Sequence, residues 1–425
     1  MKAYSINKWI SALAALLLCT AAWSQEDRAK TGWRFSALPD LGYSTDLGLS
    51  LGAFGHLIYY GDGSIYPNFL HRIGFSGAYK TKGSWYVHAF MDSNTLIPGI
   101  ELSISATYRD ALINNFYGFN GIASPYDASL DLNTVSRTAY YTNRRRFARV
   151  AALAEGKIAG KLNWLAGGVF RRVWIDDYTL PDFNSGHSLY LDYVNSGLIR
   201  ADEAGGGTNL EMKAGFRYDG RDIELSPTKG IYGELYLLSN FDLNGKPYSY
   251  GQLVADFRHF IPLVPRRIVF AYHLALQHTL WGEVPFYNAN EISTPLYTND
   301  ELTGLGSRYS IRGYRYNRIT AAGYAWGNFE LRCTPFIFTL FKQYIELVVN
   351  PFVDLGAITK SYRLDEQKEL GMSYYQNLSL PVMASAGIGG KLQVNHNFIL
   401  SVDFAKAFHP QLSDFMVGMS TAYVF

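Results

Sequence analysis

Apolar and polar side chains alternate one by one through many short segments of this chain. Between 397 and 405, Phe398, Leu400, Val402 and Phe404 fall on one face, and Asn397, Ser401 and Asp403 on the other. Between 268 and 277, Ile268, Phe270, Tyr272, Leu274 and Leu276 alternate with His273 and Gln277. Between 210 and 219, Leu210, Met212, Ala214, Phe216 and Tyr218 alternate with Lys213, Arg217 and Asp219. A period of two is that of a β-strand with unlike faces. It predicts about sixteen strands, an even number as single-chain bacterial barrels have. They fall near 32–38, 46–60, 69–80, 84–93, 99–109, 139–156, 159–175, 208–219, 230–242, 248–261, 266–281, 322–335, 343–358, 380–394, 396–408 and 413–425. A soluble sheet would bury its apolar face against a second layer, and no helical stretch offers itself as that layer. A transmembrane antiparallel β-barrel instead turns the apolar face to lipid and keeps the charged face in its lumen. Lys82-Gly83 and Asn244-Gly245 are tight-turn signals. The longer connections, 110–138, 176–207 and 282–321, are of the kind that face outward from the cell.

Composition sharpens the choice. Aromatic residues make up 16% and charged residues 17%, where about 25% charged is usual. Residues 1–24 read as a signal peptide: Lys2 and Lys8, the apolar run from Trp9 to Trp23, and Ala22-Trp23-Ser24 before Gln25. A lipoprotein signal at Cys19 is the alternative, although Leu18 stands where such sites want a small residue. The barrel domain is then 25–425. Beyond the signal there is no apolar run long enough for a spanning helix. Cleavage removes Lys2 and Lys8 and no acid, so a formal charge of +2 becomes neutral, which leaves no electrostatic argument for nucleic acid. Cys333 is the only cysteine after the signal, so no intrachain disulfide forms. The nine histidines are scattered. There is no His-Glu-x-x-His, Gly-x-Ser-x-Gly or P-loop, and no catalytic, metal or cofactor site is expected. Arg144-Arg145-Arg146 with Arg149 reads as a solvated hairpin and lumen wall, with lipid-headgroup contact as the alternative.

Three segments carry more specific meaning. Arg308-Tyr309-Ser310-Ile311-Arg312-Gly313-Tyr314-Arg315 closes the long connection after the eleventh strand. Asn328-Phe329-Glu330-Leu331-Arg332 and Phe352-Val353-Asp354-Leu355-Gly356 follow in the next two strands. Alternation turns Glu330 and Asp354 inward if Phe329, Leu331, Val353 and Leu355 face lipid. Together, in this order, the segments resemble the BamA/TamA superfamily of outer-membrane assembly factors, also called the bacterial surface antigen family. Weaker echoes lie at Arg217-Tyr218-Asp219-Gly220-Arg221-Asp222, at Pro227-Thr228-Lys229-Gly230, and along Asp256–Leu263, so the likeness covers roughly 210–425.

The resemblance implies a loop between strands 11 and 12 that folds back into the lumen, with Arg312, Gly313 and Tyr314 at its tip and Glu330 and Asp354 as wall partners. It implies a location in the outer membrane of a Gram-negative-type envelope. The work implied is assistance to proteins or lipids that insert into or cross that membrane, with no cofactor and no enzyme activity. Outer-membrane lipids, client barrel proteins and envelope lipoproteins are the implied partners; the oligomeric state stays open. It also implies a weak seam between the first and last strands. Trp33 and Phe35 would lie on one side, before Pro39 ends the first strand. Gly418, Tyr423 and Phe425 would lie on the other, the chain ending on an aromatic inside a strand. Family members usually carry POTRA domains before the barrel, whereas strand pattern here begins at Trp33, so a barrel-only member is expected. The alternatives are a passive outer-membrane pore or solute channel, and a structural surface barrel.

Overall fold

The computed structural model describes residues 30–44, 48–66, 68–130, 139–178, 187–294, 304–307, 309–340, 343–377, 382–395, 398–409, 415–421 and 423–425. The expected signal peptide lies outside them. The strands are β1 (Trp33–Ser44), β2 (Gly48–Tyr59), β3 (His71–Lys80), β4 (Trp85–Ile97), β5 (Ile100–Asn115), β6 (Thr142–Ala159), β7 (Leu162–Asp177) and β8 (Gly206–Asp219) in the first half. The second half holds β9 (Gly230–Asp242), β10 (Tyr250–Val264), β11 (Ile268–Gly282), β12 (Gly323–Leu340), β13 (Gln343–Lys360), β14 (Met383–Val394), β15 (Phe398–Ala407) and β16 (Phe415–Ser420). Each pairs antiparallel with its sequence neighbours, and β1 meets β16 to close the barrel. Among the described residues no helix is long and apolar enough to cross a membrane.

The wall is inverted relative to a soluble protein. Met212, Phe216, Leu235 and Leu237 are among many exposed large apolar side chains, while Arg171, Glu211, Lys213, Glu330 and Asp354 are buried inside. Alternation places them so: with a period of two, each strand gives one face to lipid and the other to the lumen. The connections 116–141, 178–205, 283–322 and 361–382 all emerge at one end, and shorter connections, the longest of them 60–70 and 220–229, join the strands at the other.

At the long-loop end the described parts of these connections pack into a lid. Phe116, Phe119, Tyr193, Phe286 and Tyr362, drawn from all four, form one buried aromatic cluster. The Asn120 side chain donates to the Tyr362 carbonyl (2.8 Å) and accepts from its amide (2.7 Å). Short helices α1 (Leu189–Asn195), α2 (Ala201–Ala204) and α3 (Leu364–Glu369) lie in the lid. Below it, a cavity of about 770 Å³ is lined by Arg72, Asp92, Glu155, Arg217, Glu234 and Asp256 among others.

Several strand ends differ from the sequence reading: β4, β5 and β12 run on to Ile97, Asn115 and Leu340 rather than 93, 109 and 335, and the two strands that close the barrel differ as well. β1 does not end at Pro39; it runs to Ser44, with Pro39 opposite Ala53 of β2. Proline is tolerated where a strand is an edge, and the described ladder between β1 and β16 is only Tyr43↔Met419 and Ser44↔Gly418. β16 ends at Ser420 rather than continuing to the last residue. Tyr423 and Phe425 leave the wall and lie against Arg332, Phe260 and His273 in the lumen.

Candidate functional site: the loop tip, its wall and the seam

The connection from β11 to β12 carries Arg312 into the lumen. Its guanidinium donates from Nε to Asp354 Oδ2 (2.8 Å), from Nη2 to Asp354 Oδ1 (2.8 Å) and from Nη1 to Glu330 Oε1 (2.7 Å). Its main-chain N–H adds a bond to Asp354 Oδ2 (2.9 Å). Asp403 of β15 stands 3.7 Å from Nη1. Both main acids are fully buried, while their neighbours Leu331, Val353 and Leu355 are 36–42% exposed on the outer face. Such a network is stable only because each lone pair and each N–H finds a partner in a region of low dielectric.

The Phe-x-Asp-x-Gly segment of β13 uses every second residue. Phe352 lies under the Arg312 guanidinium at 3.4 Å from the ring centroid, a cation–π contact. Asp354 grips the fork, and Gly356 leaves room for Ile311, whose Cδ1 would sit 2.0 Å from a Cβ there. Gly313 has φ +87°, and a Cβ on it would lie 3.0 Å from the Ala407 nitrogen of β15. Only glycine lets the loop backbone come that close in that conformation. Tyr314 donates from its hydroxyl to the Ala384 carbonyl of β14 (3.1 Å). Arg308, the first residue of the motif, lies outside the described residues.

β12 works in the same alternate fashion. The Asn328 side chain donates to the Ser310 carbonyl (2.6 Å) and its oxygen meets His273 Nδ1 (2.9 Å). His273 Nε2 in turn meets Asp256 Oδ2 (2.8 Å), which Arg258 also binds. Arg332 donates from Nε to the second oxygen of Glu330 (2.9 Å) and from Nη2 to the Phe425 main-chain oxygen (3.1 Å). Its guanidinium lies 4.0 Å from the Tyr423 ring centroid. Phe425 packs on His273 (5.3 Å between centroids) and Phe260 (6.2 Å), and the Tyr423 hydroxyl bonds Gln393. Glu330 therefore joins the loop tip to the segment beyond β16.

The seam residues named from sequence do not come together. Trp33 and Phe35 pair with Tyr59 and Leu57 of β2 and point outward. Gly418 stands opposite Ser44. Tyr423 and Phe425 lie in the lumen. Asn328, Arg332, Phe352 and Asp403 escaped the sequence reading as site residues. Parity with Glu330 and Asp354 would have flagged the first three, since residues two apart share a face. Asp403 lies three strands away from Glu330, and nothing local marks it.

The Omp85 superfamily domain matches residues 71–415. BamA from Haemophilus ducreyi lacking POTRA domains 1-3 resembles the fold with a TM-score of 0.59 at 16% identity, over 92% of this chain and 70% of that one. CdiB from Escherichia coli gives 0.54 at 10% identity, over 94% and 66%. CdiB from Acinetobacter baumannii gives 0.50 at 11%, over 92% and 60%. This chain thus spans 60–66% of the length of those two CdiB chains. No curated protein matches in sequence. The structural likenesses are likenesses of fold; the domain match, which covers most of the barrel and all three motifs, identifies the chain as a member of the Omp85 superfamily.

Proposed function

We propose that this protein sits in a bacterial outer membrane, long loops outward, and assists proteins or lipids that insert into or cross it at the β1–β16 seam. The observation that carries the reading is the seam itself. Among the described residues β1 forms a full ladder with β2 but shares two residue pairs with β16. Among the described residues the stretch Trp33–Gly42 has no ladder partner on its β16 side, and an edge of unpaired N–H and C=O groups can template an incoming strand. The lid and the Arg312 loop occupy the lumen above the cavity, which argues against an open pore. The family membership and the outward-facing apolar wall support the location.

The test is a disulfide across the seam in a Cys333→Ser background, with Tyr43→Cys and Met419→Cys at a paired position. In cells depleted of the native protein, the reduced variant should restore the outer-membrane proteome and the crosslinked one should not. Full complementation by the crosslinked barrel would sink lateral opening. A passive solute channel is the second reading, favoured by the charged 770 Å³ cavity. It predicts steady conductance in planar bilayers, where a plugged assembly factor conducts poorly and erratically.

A further inference from the structure

The run Arg144-Arg145-Arg146 with Arg149 divides between the two faces of the wall. Arg145 and Arg149 are buried in the lumen. Arg144 and Arg146 share the outer face of β6 with the exposed Val150, and their side chains are 37% and 32% exposed. Arg172 of β7 joins them: it stands opposite Ala148, on the face that carries the exposed Phe170. Arg146 and Arg172 are diagonal neighbours across the β6–β7 pair, roughly 7–8 Å apart. All three lie near the long-loop end of their strands.

Arg144 forks onto Asp110 (3.0 and 2.6 Å) and Arg146 reaches Asp176 (2.5 Å). Arg172 differs. It donates to the Thr208 hydroxyl (2.8 Å) and the Asn244 side-chain oxygen (3.3 Å) and lies over the Trp174 ring (5.6 Å), but no carboxylate pairs with it among the described residues. The outer belt therefore carries three guanidinium groups against two carboxylates. Trp85, Tyr108 and Trp174 flank it, as aromatics do at a membrane interface. Below the belt, on the lipid side, Ala89, Ala106 and Ala148 floor a groove of about 690 Å³ walled by Phe75, Val87 and Phe170. Ala148 stands directly between Tyr108 and Arg172 across the ladder. Groove and belt are one cross-strand step apart.

We propose that this surface binds a phosphorylated, multiply acylated lipid of the outer leaflet, with a phosphate between Arg146 and Arg172 and an acyl chain in the alanine groove. The proposal rests on the membrane placement given above. Cation over apolar trough is the complement of an anionic headgroup over its chain, and a guanidinium presents more donors than its carboxylate partner uses. Asp110 and Asp176 hold Arg144 and Arg146 in place and keep the belt from binding anions without discrimination.

The test uses the full chain in phosphatidylcholine nanodiscs doped with diphosphoryl lipid A or with the same lipid dephosphorylated, read by native mass spectrometry. The native barrel should retain the phosphorylated lipid, and Arg146→Gln/Arg172→Gln should retain roughly ten-fold less. Ala106→Phe, which fills the groove without touching the belt, should also lose it. Heat-modifiable gel migration establishes that each variant is folded. Equal retention by the native barrel and the arginine variant, or equal retention of the dephosphorylated lipid, overturns the site. A folded barrel that will not enter nanodiscs at all fails the membrane reading itself, and the site falls with it.

Discussion

Replacing Arg312 with Met removes the charge at the loop tip and keeps most of the side-chain volume. Three acids face Arg312, but they do not lose equally. Glu330 keeps Arg332 at 2.9 Å, and Asp403 keeps Lys391 at 3.2 Å. Asp354 keeps only the main-chain N–H of residue 312 among its described partners. The variant therefore strands one buried carboxylate rather than three. Breaking a buried pair by removing one partner costs about 3–5 kcal/mol, and one orphan points to the lower end, near 3 kcal/mol. Ile311, Leu305 and Ile319 still pack inside, so the loop should loosen rather than leave. An opening equilibrium shifted by that amount moves roughly 150-fold.

Hydrogen exchange of the amides from 309 to 319, under conditions where exchange reports local opening, measures this directly. Adding Asp354→Asn to Arg312→Met should recover most of the protection. Asn keeps an oxygen for the main-chain N–H and carries no charge to strand. Exchange in Arg312→Met within about 0.5 kcal/mol of native would mean that apolar packing alone holds the loop. A double variant worse than the single one would mean that the charge on Asp354 is not what the arginine answers. Either result refutes the reasoning.

Other outcomes follow from the same geometry. Arg332→Met should free the segment after β16, so that a spin label at 424 gains mobility; combined with Arg312→Met, its effect on loop exchange should be non-additive by about 0.5–3 kcal/mol, because both arginines bind Glu330. Gly313→Ala should cost about 1–2 kcal/mol for the left-handed backbone, plus the 3.0 Å approach to β15, seen as faster exchange at 311–314 in an otherwise folded barrel. In the lid, burial pushes the Glu283 carboxyl up, but hydrogen bonds from Arg200 and Arg363 outweigh it and hold its pKa below the ordinary glutamate value. A depressed carboxylate stabilises the folded state above the unfolded pKa, about 4.3 for Glu, and loses that contribution as pH falls through the folded value. Protease resistance of 187–205 should therefore persist to about pH 4 and fall below it, and Glu283→Gln should remove the step.

The strands were legible because the period-two pattern is imposed twice, by lipid outside and by charge inside. β8, β11 and β15 stand where alternation put them. The ends were not legible. Pro39 reads as a strand terminator until the edge it sits on is known. Tyr423 and Phe425 continue the parity of Val417 and so read as strand, while what draws them inward, Arg332, His273 and Phe260, comes from three other strands. Composition misled on the aromatics in a similar way. Girdles account for some of them, yet Phe116, Phe119, Tyr193, Phe286 and Tyr362 build the lid, and no local pattern separates a girdle tyrosine from a lid tyrosine. The arginine run was readable in principle, since alternation with Val150 sends Arg144 and Arg146 out and Arg145 and Arg149 in; only the pairing with Arg172 needed the fold.

A lumen filled with ion pairs is not the cheapest way to close a barrel, because an apolar plug of equal volume is often as stable. What the charges supply is register. An apolar loop can slide along an apolar wall with little change in energy, whereas Arg312 fits one depth only. There it reaches Glu330 on β12, Asp354 on β13 and Asp403 on β15 while Tyr314 bonds β14. The loop tip therefore ties successive strands on one side of the wall into a unit. β16, next in order, shares two ladder pairs with β1 among the described residues. The segment beyond it is held through Arg332, which binds the second oxygen of the carboxylate that the loop tip also uses. A change at the seam that displaced this segment would remove the Phe425 bond to Arg332 and, through Arg332 and Glu330, reach the loop tip.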